Sequence, residues 1–214
     1  MEDDASMTSL PIFPLGSVLF PHMPLSLRVF EERYLKMIGA LLEADDPVFG
    51  VVLIERGSEV GGGDQRFSVG TTAKILEIQA PNGPLQLLAR GHRRFRIQSW
   101  TQENPYPEAR VEFLENLDAS GESNLPGLKQ AEGSLRELLR HGASGQQVLP
   151  WPSDVTFSED PDHRIWQLVG VSPFGPLDQQ RLLEAAKFEA LVHDLQDKLD
   201  SALKILGTEQ TEEY

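Results

Sequence analysis

The sequence predicts an α+β fold, a first part made of short β-strands around one interposed helix and a second part made of helices. Three observations lead there. Between about residues 10 and 115, short apolar and β-branched runs alternate with Pro and Gly breakers. Inside that region a single stretch, Glu31 to Ala44, changes to helical spacing. Beyond about residue 124, apolar residues recur three and four apart.

The elements follow in order. Pro11, Pro14, Pro21 and Pro24 forbid a helix over Leu10 to Phe30 and cut it into short extended pieces. In Leu25-Ser26-Leu27-Arg28-Val29, apolar residues alternate with Ser and Arg, the mark of a half-buried strand. Tyr34, Leu35, Met37, Ile38, Leu41 and Leu42 then share a helical face. Glu31 and Glu32 suit its first turn, and Asp45-Asp46-Pro47 ends it. Val48 to Ile54 is short, β-branched and bounded by breakers, as a strand buried on both faces would be. Gly57 to Asp64, with four glycines, reads as a flexible loop.

Phe67 to Gln79 and Leu85 to Trp100 read as strands joined at the turn Pro81-Asn82-Gly83-Pro84. Ala109 to Phe113 alternates cleanly. The resulting expectation is an antiparallel barrel or sandwich with a helical insertion. Ala119 to Asn124 reads as a linker. Leu128, Ala131, Leu135, Leu138 and Leu139 make one helix face, which Gly142 should stop. Gln146 to Phe157 is irregular around Trp151. Asp162 is the expected cap of a short helix holding Ile165, Trp166, Leu168 and Val169. A last helical region, about Asp178 to Leu206, should break near Ala185.

Composition narrows the function classes. The 214 residues contain no cysteine, which removes disulfide scaffolds, Cys-ligated metal sites and cysteine nucleophiles. Acidic residues number 33 and basic ones 19, a net charge of −14 that disfavours nucleic acid and anionic lipid as partners. Six of the acids, Glu2, Asp3, Asp4, Glu209, Glu212 and Glu213, lie in terminal segments expected to be disordered tails, residues 1–8 and 207–214. No apolar run approaches the ~20 residues of a membrane-spanning helix. The acidic start is also unlike a secretory signal, so a cytoplasmic protein with no membrane association is expected.

No catalytic constellation emerges. Gly61-Gly62-Gly63 lacks the Lys-Ser/Thr of a phosphate loop, and Ser144 lacks the spacing of a hydrolase elbow. The five histidines are scattered. Glu159-Asp160-Pro161-Asp162-His163 fits no metal loop and reads as a helix cap, so neither a metal nor a cofactor is expected. Arg90-Gly91-His92-Arg93-Arg94-Phe95-Arg96-Ile97 is the sharpest local feature. Arg90, Arg93, Arg94 and Arg96 form either a basic contact strand for phosphate or an acidic partner, or a solvated face whose arginines pair with nearby acids. The second reading is favoured, with Phe95 and Ile97 pointing opposite to Arg94 and Arg96.

Leu10-Pro11-Ile12-Phe13-Pro14-Leu15, Val18-Leu19-Phe20-Pro21 and Pro24 to Tyr34 together resemble the opening of the Lon protease N-terminal, substrate-binding domain family. Val69 to Ile75, Leu88 to Ile97, Pro105 to Val111 and Pro176 to Glu184 are similar to its later motifs, in the same order over about residues 10 to 205. The resemblance implies a PUA-like β pseudo-barrel over residues 9–116 with the one interposed helix, then a helical bundle over 117–206. It also implies a stand-alone domain without the ATPase and Ser–Lys protease modules of the full enzymes. The function then expected is a non-enzymatic module or adaptor that binds exposed apolar segments of other proteins. Phe30, Tyr34, Trp151 and Phe157 are its candidate contacts, near the junction of barrel and helices. The alternatives are an RNA-binding module using the arginine strand, and an enzyme whose residues go unrecognised.

Overall fold

A computed structural model describes residues 8–45, 47–56, 65–80, 83–119, 124–144 and 151–209. The expected glycine loop 57–64, Pro81 and Asn82 of the turn, most of the linker and the start of the irregular stretch before Trp151 lie outside the described residues, as do 1–7 and 210–214. The chain divides into two compact units, Met1–Asn116 and Leu117–Tyr214.

The first unit is a six-stranded mixed sheet: β1 (Thr8–Leu15), β2 (Pro24–Val29), β3 (Val48–Arg56), β4 (Gln65–Gln79), β5 (Leu85–Gln102) and β6 (Glu108–Phe113), with α1 (Glu32–Leu42) between β2 and β3. The sheet order is β2-β5-β4-β3-β1-β6, and β5 also pairs with β6. Five strands therefore close into a ring and β2 stands outside it. The 18-residue β5 makes this possible. Its first half pairs with β2, from Pro24↔Arg90 to Val29↔Leu85, and its second half pairs with β6, from Phe95↔Phe113 to Gln102↔Glu108.

The barrel is not wholly antiparallel. β1 pairs with β3 in parallel, Ile12 opposite Gly50 and Leu15 opposite Leu53. The chain between them makes β2 and then α1 before returning, and a crossover of that length lets two strands run the same way. β1 also begins at Thr8, inside the segment expected to be a tail.

The core follows the strand alternation. Leu10, Ile12, Val52, Phe95, Ala109 and Val111 form one cluster. Phe95 stands opposite Gly70, and its ring tip reaches to 2.7 Å and 2.9 Å of where a Cβ on Gly50 and Gly70 would lie. The two glycines are thus the space that the ring fills. α1 covers the barrel with Tyr34, Met37, Ile38 and Leu41. Tyr34 stacks on Phe13 with centroids 3.9 Å apart and planes 14° from parallel.

The second unit is helical: α2 (Asn124–Ser144), α3 (Pro161–Val171), α4 (Pro176–Leu183) and α5 (Phe188–Glu209). Gly142 does not stop α2, which runs on to Ser144. The expected break near Ala185 separates α4 from α5. α5 reaches Glu209, so the first residues of the expected C-terminal tail are helical. The cap of α3 is Asp160, whose Oδ1 accepts from the Asp162 N–H at 3.0 Å, and not Asp162 itself. Pro161 explains the shift, because proline is at home in the first helical position and puts the cap one residue earlier. No described helix is long and apolar enough to cross a membrane.

Candidate polypeptide-binding site

Phe30 follows the last residue of β2 and is 60 % exposed, among the most exposed of the large apolar side chains. Four residues on, Tyr34 is 2 % exposed. Tyr34 is therefore a packing residue that meets the surface only through a cavity of about 310 Å³ beside it. Phe13, Leu15, Leu27, Phe30 and Tyr34 make that cavity apolar, and Glu31 adds a carboxylate. Arg33 donates to Glu31 at 3.1 Å and lies 4.4 Å from the Tyr34 ring centroid, so a cation covers the tyrosine's face.

A second cavity, about 520 Å³, shares Ser26, Leu27 and Arg28 with the first. Its remaining wall mixes Glu77, Gln79 and Gln86 with Leu87 and Leu88. Gln79 donates to Glu77 at 2.7 Å. β2 thus borders both cavities, and the second has the more polar side chains beyond it. Sequence reasoning found the strand but not the role of Ser26 and Arg28. The signal was the isolation of a short alternating run behind Pro24, since proline within a sheet points to an edge strand.

Trp151 and Phe157 belong to the second unit. Trp151 is half-buried and Phe157 is buried. The Arg136 guanidinium sits 5.0 Å from the Phe157 ring, held there by Glu132 and by the Ser153 carbonyl at 3.2 Å. Phe157 is occupied in packing the loop against α2.

The arginine strand does not act as one face. Arg90, Arg93 and Arg96 are exposed, but Arg94 is 5 % exposed and its guanidinium donates to the Glu115 carbonyl at 3.1 Å. Burial lowers its pKa to about 10. A bulge between the pairs Thr71↔Arg94 and Ala73↔Gly91 interrupts the strand. Thr72 Oγ1 bridges it, donating to the Arg93 carbonyl at 3.1 Å and accepting from the Arg93 N–H at 3.0 Å. Arg93 stacks on Phe113 at 4.2 Å, and Arg96 stands opposite Glu112.

Among the described residues no three His, Asp or Glu side chains converge as a metal site would need. Asp162 and Tyr106 have raised pKa values among the described residues, and neither lines a cavity named above. Burial and then the neighbouring Asp160 raise Asp162, while burial and then Glu108 raise Tyr106.

Comparison with known proteins agrees with the fold. Residues 9–206 match the family described as the ATP-dependent protease La (LON) substrate-binding domain. The Lon protease of Escherichia coli strain K12 is 25 % identical over 207 residues, 94 % of this chain. The chain spans about a quarter of the length of the curated relatives it matches, 26 % in that case. The crystal structure of a Lon N-terminal domain protein from Xanthomonas campestris superposes with a TM-score of 0.60 at 26 % identity, covering 88 % of this chain and 97 % of the other. The N-terminal domain of a Mycobacterium avium complex Lon protease has the same fold, with a TM-score of 0.65 at 17 % identity, covering 90 % of this chain and 98 % of that one.

Proposed function

Since the chain belongs to the LON substrate-binding domain family, we propose that it binds exposed apolar segments of other polypeptides, as a substrate-binding or adaptor module without chemistry of its own. The observation that carries this reading is Phe30, a large aromatic side chain left 60 % exposed at the rim of an apolar cavity floored by Tyr34 and Phe13. Isolated exposed apolar residues are ordinary, whereas one beside a cavity of its own kind is what an apolar side chain of a partner would fit. The matched family is described as the substrate-binding domain of an ATP-dependent protease.

RNA is the weaker reading. With Arg94 turned inward and Arg93 stacked on Phe113, the arginine strand offers no continuous row of cations to a phosphate backbone. Binding of fluorescein-labelled, reduced and carboxymethylated α-lactalbumin, a permanently unfolded chain, tests the proposal. Phe30→Ser should weaken it at least fivefold with the thermal melt unchanged. Equal binding by the two proteins, or none by the wild type, would remove the reading.

A further inference from the structure

We infer that β2 takes up its polypeptide as an added strand, an extended segment that alternates apolar with acidic residues; the inference rests on the proposed polypeptide binding and specifies its mode. Among the described residues, β2 is hydrogen-bonded to one strand, β5. The Gly91 N–H donates to the Met23 carbonyl at 2.9 Å, which sets the parity of the ladder. Leu25, Leu27 and Val29 exchange backbone bonds with Ala89, Leu87 and Leu85, so Ser26 and Arg28 direct their N–H and C=O groups to the open side. Among the described residues, nothing bonds those four groups. They are a template for one short strand, the recognition mode in which main-chain bonds give affinity and alternate side chains give selectivity.

The surroundings of β2 specify that strand. On the face of Leu27 lies the apolar cavity with Phe13, Leu15 and Tyr34 at its wall. On the opposite face of the sheet, by register, Ser26 and Arg28, which line both cavities, stand beside Leu88, Gln86, Glu77 and Gln79. Side chains of an added strand alternate between these two faces, so one set enters apolar space and the other meets Arg28. The cross-strand register puts Arg28 and Arg90 on this outer face with Glu77 as the facing carboxylate, and Glu77 already accepts from Gln79. Arg28 and Arg90, on a chain of net charge −14, select acidic residues at those positions. The shortness of β2 and the proline at its head are also the features that protect a sheet edge from indiscriminate pairing. They confine an added strand to the stretch at Ser26 and Arg28.

The test uses the full chain and a fluorescein-labelled heptapeptide alternating valine and glutamate. That peptide should bind, and a valine–lysine peptide or one N-methylated at every second residue should bind at least tenfold more weakly. Ser26→Pro, which deletes an outward N–H without touching the ladder to β5, should also weaken binding at least tenfold. On saturation, deuterium exchange at the Ser26 and Arg28 amides should slow at least tenfold, while Leu25 and Leu27 stay as they were. Equal binding by the N-methylated peptides, or unchanged exchange at Ser26 and Arg28, overturns strand addition even if Ser26→Pro fails to fold. If carboxymethylated α-lactalbumin still binds in that case, polypeptide binding stands and only its mode falls. If the lactalbumin does not bind either, both fall.

Discussion

Asp162 shows how a single exposed carboxyl can carry a charge it would be better without. It sits in the first turn of α3, one residue beyond Pro161 and beside the capping Asp160. Partial burial and the Asp160 charge raise its pKa from the ordinary aspartate value, against the favourable hydrogen bond from the Ala119 backbone. The sign follows from linkage. A carboxyl whose folded pKa is raised keeps its proton at a pH where the unfolded chain has lost it, so stability falls as pH rises through that window and the cost persists at neutrality. Asp162→Asn keeps an acceptor for Ala119 and removes the charge. Urea unfolding should find it more stable than wild type at pH 7, with the gain shrinking as pH falls through the ordinary aspartate pKa of about 3.9 and absent well below it, where both side chains are neutral. Arg94 is a second residue whose charge is held at a cost, since burial moves its pKa down to about 10.

At the scale of the element, the pairing of Phe95 with Gly70 joins β4 and β5 across the barrel wall. A Cβ on Gly70 would meet the Val51 carbonyl oxygen as well as the Val52 and Phe95 side chains, and a backbone atom cannot swing away as a side chain can. Gly70→Ala should therefore cost about 2–3 kcal/mol, seen as a lower urea midpoint with an unchanged slope. Most elements were legible because each has its own period, as in Leu25 to Val29 and Ala109 to Phe113 at two residues, and α1 at three and four. What no period carries was missed. The parallel pairing of β1 with β3 depends on where a crossover returns, which no local pattern states. The burial of Arg94 depends on where its guanidinium finds a carbonyl, twenty-one residues along the chain. Of the four candidate aromatic contacts, Phe30 is on the surface and Tyr34 and Phe157 are packed. Composition could not separate them, because the same aromatic that anchors a partner also fills a core.

For the whole molecule, the division at Asn116 and Leu117 separates two kinds of folding problem. The first unit carries 11 basic and 16 acidic residues and the second 8 and 17, so the helical unit holds the larger part of the negative charge. All the strand pairing of the ring lies within residues 8–113. Residues 1–116 alone should therefore give a cooperative urea transition with a strand-rich circular dichroism spectrum. A gradual, non-cooperative loss of signal would show that the barrel depends on the helices.

The ring has one further consequence, for the order of events during synthesis. Its first strand, β1, is completed at its far edge by β6, with Thr8 opposite Val111 and Pro11 opposite Glu108. Until the ribosome has released residues near Phe113, β1 has no partner on that side, and Leu10 and Ile12 have nothing from Ala109 and Val111 to pack on. Closure between the two ends of a unit is the slow kind of contact, because the chain must be held together over its full length before the pairing repays the lost entropy. The nascent barrel is thus, for most of its translation, itself an extended apolar chain with an unpaired strand, the kind of polypeptide that the finished domain is proposed to hold.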